Sequence, residues 1–238
     1  MTALSFDVVR ISASDSAFEA ALRWEFQVFG VANGYASSRD IAAGRMAWYQ
    51  RYDAASELYV ARDPGGTLAG IARLIRHDVR LGLDSFSTVV DAASYSAHGE
   101  PARCYLDPAW AAALRQMPAP SIAELATQSI VPGFRRFRAM DALWRRMIDD
   151  GRRDGVELWT VALVVPLFRF YKALLPNALQ AIGTVMPDYI GADSVPAALR
   201  LTHPEVEAYL NGSNEGRGGE VSYVCNVSQA IGGTSSAL

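Results

Sequence analysis

The sequence predicts a mixed α/β fold, in which a central sheet carries helices on both faces. A nearly unbroken, valine-rich apolar run over positions 156–165 is typical of a central strand that is covered on both sides. Strand-like and helix-like segments alternate around it. A chain of 238 residues is long enough for one well-packed domain and short for two, and half of its residues are apolar, which is enough to form a core. We therefore expect one domain over 1–211 and a partly flexible Gly- and Ser-rich tail over 212–238.

The first predicted elements are a strand and a helix. Weak alternation of apolar residues predicts a strand over 6–11. Apolar residues at helical spacing, among them Phe18 and Leu22, predict a helix that begins after N-cap candidates in 12–16. The helix should end near Asn33, which a glycine follows.

A second helix and a hairpin are expected next. An amphipathic pattern predicts the helix over 39–49. Strands over 57–61 and 67–75 are joined by Asp63-Pro64-Gly65-Gly66, a strong turn signal because proline presets φ and glycine accepts positive φ. Positions 77–119 have no sustained period, and we interpret them as an irregular insertion with short helices that could cover the site as a lid.

The second half of the chain alternates strands and helices. An apolar stripe predicts one helix, and a proline placed for a first helical turn predicts another. The predicted elements are a strand over 121–131, a helix over 135–153, the strand over 156–165, a helix from Pro166 to Leu175, two short strands around Met186-Pro187 within 178–201, a helix over 204–210 and an edge strand over 221–227.

Composition argues against several function classes. The net charge of −3 disfavours nucleic acid as a partner, because phosphate binding uses clustered lysine and arginine. Cys104 and Cys225 lie far apart, and the three histidines have no ligand spacing, so we expect neither a disulfide nor a metal site. No stretch reaches the ~20 apolar residues that span a bilayer, and no export signal is evident, so we expect a cytoplasmic protein.

Four segments form a recognisable series: Arg-Trp-Glu-Phe-Gln-Val-Phe at 23–29, Gly-Ile-Ala-Arg-Leu at 70–74, Glu-Leu-Ala-Thr-Gln-Ser-Ile-Val-Pro-Gly-Phe-Arg at 124–135, and the segment 168–175. In this order they resemble the acyl-homoserine-lactone (autoinducer) synthases and N-acyl amino acid synthases of the GNAT superfamily, over about 22–201. The resemblance implies a GNAT-like acyltransferase fold with a central mixed sheet flanked by helices. It also implies transfer of an acyl group from a carrier thioester to the amine of a small amino-acid-like acceptor.

The resemblance also assigns a pocket for the acyl chain and the acceptor. For Arg73, a fixed guanidinium at a strand end could hold a carboxylate or orient a loop, and the alternative is a solvated arginine. For the first helix, the alternative is an ordinary amphipathic helix. The implied pocket residues are Arg23, Phe26, Phe29, Trp48, Asp53, Arg73, Thr127 and Ser129.

Two residues are the candidate catalytic groups. Glu124 would take the amine proton through a water or bind the acceptor's ammonium, since a carboxylate within a sheet is unfavourable unless it is used or paired. Structural pairing with an arginine is the alternative. By resemblance, Tyr171 would protonate the departing thiolate, and the alternative is a core position. The strand over 121–131 would splay from its neighbour, and the pantetheine arm of the donor would lie in the gap, with Val131 at the end of that strand among the donor-binding residues.

The sequence also departs from the resembled pattern. Thr127 stands where autoinducer synthases usually have arginine, and of their acidic run only Asp53 is clearly in place, which weakens the expectation of lactone formation from S-adenosylmethionine. The loop that binds coenzyme A diphosphate through glycines contains Arg135, Arg136 and Arg138 instead.

These arginines predict a preference for acyl carrier protein as the partner that delivers acyl-phosphopantetheine, with acyl-CoA as the other co-substrate and no permanently bound cofactor. They could hold the single phosphate of the phosphopantetheine, and further arginines would extend the basic patch. Those further residues are Arg145, Arg146, Arg152 and Arg153. The alternative is the solvated face of an amphipathic helix. Alternative functions are a catalytically inactive acyl-binding or regulatory protein and an acyl-CoA-dependent GNAT acetyltransferase.

Overall fold

The computed structural model describes residues 5–97, 99–134 and 139–211. Its strands are β1 (Asp7–Ser12), β2 (Ser56–Arg62), β3 (Leu68–Arg76), β4 (Ile122–Ile130), β5 (Leu158–Val164), β6 (Leu179–Ala181), β7 (Met186–Tyr189) and β8 (Ala192–Arg200). They form one eight-stranded sheet of order β1-β2-β3-β4-β5-β8-β6, with β7 paired to β8. β4 and β5 are parallel, and the other pairs are antiparallel. The predicted mixed sheet is confirmed.

Helices cover both faces of this sheet. They are α1 (Phe18–Glu25), α2 (Ser38–Ala43), α3 (Ser87–Ala93), α4 (Pro108–Gln116), α5 (Ala139–Arg153), α6 (Val165–Leu174) and α7 (Pro204–Leu210). On one face, α5, α6 and α7 build a core around Trp144. On the other face, α3 and α4 pack around Phe86, and α1 packs against β2 and β3. None of the described helices is both long and apolar enough to cross a membrane.

The hairpin of β2 and β3 forms as the turn residues predict. Gly66 has φ of +82°, and its N–H donates to the carbonyl of Asp63 at 2.9 Å. The Asp63 carboxylate accepts from the N–H of Thr67 at 2.8 Å. Four further predicted elements are present. They are the strands over 121–131 and 156–165 and the helices predicted to begin at Pro166 and Pro204.

The helix predicted over 39–49 is wrong as one element. α2 ends at Ala43 because Gly44 adopts φ of +63°, a left-handed conformation that ends a helix. A 3-10 helix over Ala47–Ala55 follows. The first helix also differs, because α1 continues as a π-helix over Phe26–Ala32. Its N-cap is Ala17 without a side-chain hydrogen bond, so the serine caps predicted in 12–16 are not used.

The insertion over 77–119 contains short helices, as predicted, but it is part of the packed core. Phe86 at the start of α3 is fully buried, and α3 contacts β4, β5 and β8. The chain after α3 forms a bridge between Leu106 and Gly183. A Cβ at Gly183 would lie 2.1 Å from the carbonyl oxygen of Tyr105, so this close approach requires glycine. α3 is thus part of the core, and the interpretation of the insertion as a lid stays a prediction.

The end of the sheet holds more strand than the sequence predicts. Within 178–201, β6 and β7 are the two short strands, but the longer β8 was not predicted, because Pro196 interrupts its pattern. β8 pairs with the whole of β5, from Leu158↔Arg200 to Val164↔Ser194. The helix predicted over 135–153 is described from Ala139 onward, so its predicted start lies outside the described residues. The strand predicted over 221–227 lies outside them as well.

Candidate functional site

The central feature of the site is a gap between β4 and β5. The two strands pair in parallel only from Ile122↔Leu158 to Leu125↔Val161. β4 then continues to Ile130 and β5 to Val164. Within the described chain, their facing edges past Leu125 and Val161 are not paired with each other. The backbone groups along these edges can therefore bind an extended ligand between the strands.

A β-bulge in β4 accompanies this separation. Leu74 of β3 pairs with Leu125, whereas the preceding Arg73 pairs with Thr127, so Ala126 is the extra residue. The bulge shifts the alternation of side chains along β4. As a result, both Glu124 and Thr127 point to the face of α1 and α3, although an odd number of positions separates them.

The gap holds a cavity of about 80 Å³. Phe29 from the π-helix lines it, with its ring stacked on that of Tyr35 at a centroid distance of 4.7 Å. Other lining residues come from the 3-10 helix, α3, α6, the end of β7 and the turn after it; they include Tyr49, Thr88, Leu167, Tyr189 and Ile190. The lining is mainly apolar with a few hydroxyl groups, as is usual in small-molecule sites.

Glu124 lies behind this cavity and is buried completely. Its carboxylate accepts hydrogen bonds from the hydroxyl of Ser87 and, at 2.9 Å, from the N–H of Thr88. Burial raises the pKa of Glu124 to about 8, although these two hydrogen bonds oppose the shift. The alternative of pairing with an arginine is wrong, because these partners come from the first turn of α3. Glu124 is thus a buried carboxyl whose pKa lies near neutral pH.

A second buried carboxyl, Asp91, lies one helical turn further along α3. It accepts a hydrogen bond from the hydroxyl of Tyr189 at 2.6 Å. Burial raises the pKa of Asp91, while the bond from Tyr189 and the charge of Arg51 lower it in part. Because the charge of Asp91 also contributes to the raised pKa of Glu124, the two carboxyls interact through space.

Arg73 is the centre of a buried ionic network on the same face. Its guanidinium donates two hydrogen bonds to Glu25, at 2.9 and 2.5 Å, and one to Asp53 at 3.0 Å. Thr127 donates to Glu25 at 2.6 Å. The Arg73 side chain is only 1% exposed, so the alternative of a solvated arginine is wrong. The carboxylates that Arg73 holds belong to the chain itself.

The electrostatics of Arg73 are consistent with a fixed charge. Burial by itself would lower the pKa of the Arg73 guanidinium, but Glu25 and Asp53 outweigh burial and raise that pKa above its ordinary value. Arg45 forms a further ion pair with Asp53. The two arginines and two carboxylates balance in charge, which a buried cluster requires.

The other predicted site residues are distributed over several places. Tyr171 is one turn beyond the cavity-lining Leu167 on α6, and its buried ring stacks on Trp144 at 4.1 Å. Phe26 packs in the core beside Phe29. Neither Tyr171 nor Phe26 lines the cavity itself. The other predicted residues do not line it either: Arg23 and Trp48 are exposed, Ser129 accepts from Asn33, and the N–H of Val131 donates to Ala69. The roles of all these residues stay predictions.

The predicted basic patch on α5 is paired within the chain. Arg146 and Arg153 both form ion pairs with the buried Asp150. Arg152 pairs with Glu207, and Arg145 donates to the carbonyl of Leu210. The proposed extension of the patch is therefore occupied by intramolecular contacts. Arg135, Arg136 and Arg138 lie outside the described residues.

Sequence reasoning missed several polar residues of the site. Glu25 could have been found, because it falls on the apolar stripe of Leu22, Phe26 and Phe29, and a charge on such a stripe indicates a buried partner. The other missed residues are Tyr49, Ser87, Thr88, Asp91 and Tyr189. They had no local signal, because tertiary contacts alone bring them together.

No protein-family model matches the chain, and no curated protein matches it in sequence. Solved structures do match. MesI, a CoA-dependent acyl-homoserine lactone synthase, has 12% identity and a TM-score of 0.59, with 90% of this chain and 97% of that chain covered. BjaI, another such synthase, solved with SAM and isopentyl-CoA, has 17% identity and a TM-score of 0.57, with 87% and 89% covered.

FeeM, an N-acyl amino acid synthase from uncultured soil microbes, also matches, with 16% identity and a TM-score of 0.52 over 83% of this chain and 92% of that chain. The chain therefore has the GNAT-like fold of these acyltransferases, as the four sequence segments predict. At such low identity, the structural similarity establishes the fold only. The reaction has to be argued from the residues of the site.

The Arg73 network yields a stability prediction. Arg73→Met should destabilise the protein by about 3–5 kcal/mol, because it leaves Glu25 buried without its cation. A double variant that also carries Glu25→Gln should be less destabilised than the sum of the two single variants. Chemical denaturation measures all three. Arg103→Ala, at an exposed ion pair with Glu100, should leave the midpoint nearly unchanged. Strict additivity of the two single variants would contradict a coupled pair.

Proposed function

We propose that this protein is an N-acyltransferase that moves an acyl group from a carrier thioester to the amine of a small amino-acid-like acceptor. The observation that carries the proposal is the gap between β4 and β5 with the buried carboxyl of Glu124 beside it. The fold supports the proposal, because BjaI and MesI are acyl-homoserine lactone synthases and FeeM is an N-acyl amino acid synthase. The gap is suited to the extended arm of the donor, with the acyl group in the apolar cavity.

The reaction forms one bond and breaks another. The amine nitrogen attacks the thioester carbonyl, a tetrahedral intermediate forms, and its collapse breaks the carbon–sulfur bond. The nitrogen loses a proton, and the departing thiolate gains one. The thioester is already activated, so no covalent enzyme intermediate is needed, and positioning supplies much of the rate enhancement.

Glu124 is our candidate for the group that accepts the amine proton, through a water. A general base works best when its pKa is near the operating pH, and burial gives Glu124 a pKa of about 8. The hydrogen bonds from Ser87 and Thr88 hold its carboxylate in one orientation. Tyr171 is our candidate for the proton donor to the thiolate, since it follows the cavity-lining Leu167 by one turn of α6.

The donor preference remains part of the proposal. The arginines at 135, 136 and 138 favour acyl carrier protein, whereas BjaI and MesI are CoA-dependent. The test supplies hexanoyl-carrier protein or hexanoyl-CoA with a mixture of amino acids, and it detects free thiol and acylated product by mass spectrometry. We expect an N-acyl amino acid, and a higher kcat/KM with the carrier protein. Donor binding without product would instead favour a catalytically inactive acyl-binding protein.

The pKa of Glu124 predicts the pH dependence of activity. If its carboxylate is the base, kcat/KM should rise with pH and level off above about 8. Glu124→Gln cannot ionise, so it should lose about 10²–10⁴-fold in kcat and lack this inflection. The ionisation of the acceptor amine affects the wild type and the variant equally. The difference between their two pH profiles therefore reports the ionisation of Glu124. An unchanged profile in the variant would remove Glu124 from proton transfer.

The same shift has a consequence for stability that checks the assignment. The folded protein holds the Glu124 proton up to a pH of about 8, whereas the unfolded chain releases it near 4.5. The stabilising contribution is thus complete below 4.5 and is lost as the pH rises through 8. The free energy of unfolding of the wild type should therefore decline as the pH rises over this range. Glu124→Gln should lack this decline.

Tyr171→Phe separates a proton donor from a core residue. The variant keeps the ring stacked on Trp144 and removes only the hydroxyl. General acid catalysis predicts a loss of about 10²–10⁴-fold in kcat with unchanged folding. A purely structural hydroxyl predicts a loss of about 1 kcal/mol in stability with little effect on activity. Thiol release and thermal unfolding on one preparation decide between the two roles, and full activity excludes the catalytic one.

A further inference from the structure

A second cavity lies outside the gap between β4 and β5. It is an open groove of about 520 Å³ on the protein surface, between the 3-10 helix over Ala47–Ala55 and α3. Trp48 and Arg51 line it from the 3-10 helix, and Val90 and Asp91 line it from α3.

The walls of the groove are also walls of the gap. On the 3-10 helix, Tyr49 lines the gap cavity, whereas its neighbours Trp48 and Arg51 line the groove. On α3, Thr88 lines the gap cavity, whereas Asp91 lines the groove. The hydroxyl of Tyr189, itself a residue of the gap, donates to Asp91 at 2.6 Å. Asp91 therefore marks the junction of the two cavities.

Opposite charges line the two walls. Asp91 is a buried carboxylate, and one of its oxygens accepts from Tyr189. Arg51 is exposed, and its guanidinium lies 4.6 Å from the ring centroid of Tyr52, to whose hydroxyl it donates. This contact orients Arg51 and uses one of the five N–H donors of a guanidinium. Arg39, on the rim of the groove, adds a further positive charge.

An apolar surface accompanies these charges. The Trp48 side chain is 48% exposed, and Val90 belongs to the lining on the other wall. Sites for small molecules combine aromatic side chains with a few placed polar or charged groups. The groove thus offers a carboxylate for an amine, a guanidinium for a carboxylate, and an aromatic surface for a side chain.

We propose that this groove is the acceptor site and that it binds a zwitterionic α-amino acid with an apolar side chain. Asp91 holds the amine at the junction with the gap, Arg51 holds the carboxylate, and the side chain packs on Trp48. Asp91 and Arg51 are positioning residues in this arrangement. The inference rests on the proposed function, because the groove would supply the amine that attacks the thioester in the gap.

Binding without any donor tests the groove by itself. Calorimetry compares L-phenylalanine with L-phenylalaninamide, which keeps the amine and the ring but lacks the carboxylate. The wild type should bind the amino acid at least about tenfold more tightly, the effect of one charge-assisted hydrogen bond. Arg51→Gln should abolish that difference, and Asp91→Asn should weaken both ligands. Arg103→Gln, at an exposed arginine outside the groove, is the matched control and should bind like the wild type.

Equal affinities for acid and amide, no binding of L-phenylalanine, or unchanged binding in the Arg51 and Asp91 variants would overturn the proposal. The transfer assay then separates it from the proposed function. If product forms but Arg51→Gln leaves the KM for the amino acid unchanged, the acceptor binds elsewhere and the function stands. If the amino acid binds as expected but no thioester yields thiol, the groove stands and the acyltransferase function fails.

Discussion

The ion pair of Arg73 with Glu25 is the interaction on which the position of the gap depends. It joins β3 to the end of α1, where the π-helix begins. The same guanidinium binds Asp53 of the 3-10 helix, and Glu25 accepts from Thr127 of β4. Four segments that are distant in sequence thus meet at one buried charge. Since a buried charge without its partners is strongly unfavourable, these segments are held in one arrangement.

Tyr49 transmits this arrangement to the gap. The Arg73 guanidinium lies 5.3 Å from the centroid of the Tyr49 ring. The hydroxyl of Tyr49 donates at 3.1 Å to the carbonyl of Ala126, the extra residue of the bulge. The residue that contacts the ionic network therefore also binds the strand where it separates from β5. The gap can stay open because polar groups, and not strand pairing alone, fix the edge of β4.

Local signals in the sequence predict the parts of the fold that have them. The turn at Asp63 and the valine-rich β5 were predicted because their patterns are complete within a few residues. β8 was not, because Pro196 breaks its pattern and pairing with β5, β6 and β7 defines it. The same holds for the site: Glu124 stands out as a carboxylate in a strand, whereas Asp91 belongs to an irregular stretch, and tertiary packing alone gives it a role.

The short helix α3 links the two buried carboxyls, Glu124 and Asp91. Its first turn binds Glu124, and its side chain at Asp91 lies at the junction with the groove. Burial is the main cause of the raised pKa of Glu124, and the negative charge of Asp91 adds to it, so a cation bound at Asp91 would offset that added part and favour the ionised form of Glu124. With an acceptor ammonium in the proposed groove, Glu124 would therefore lose its proton more readily when the acceptor is present. The arrangement would thus link occupancy of the acceptor site to the readiness of the base, without requiring any movement of the backbone.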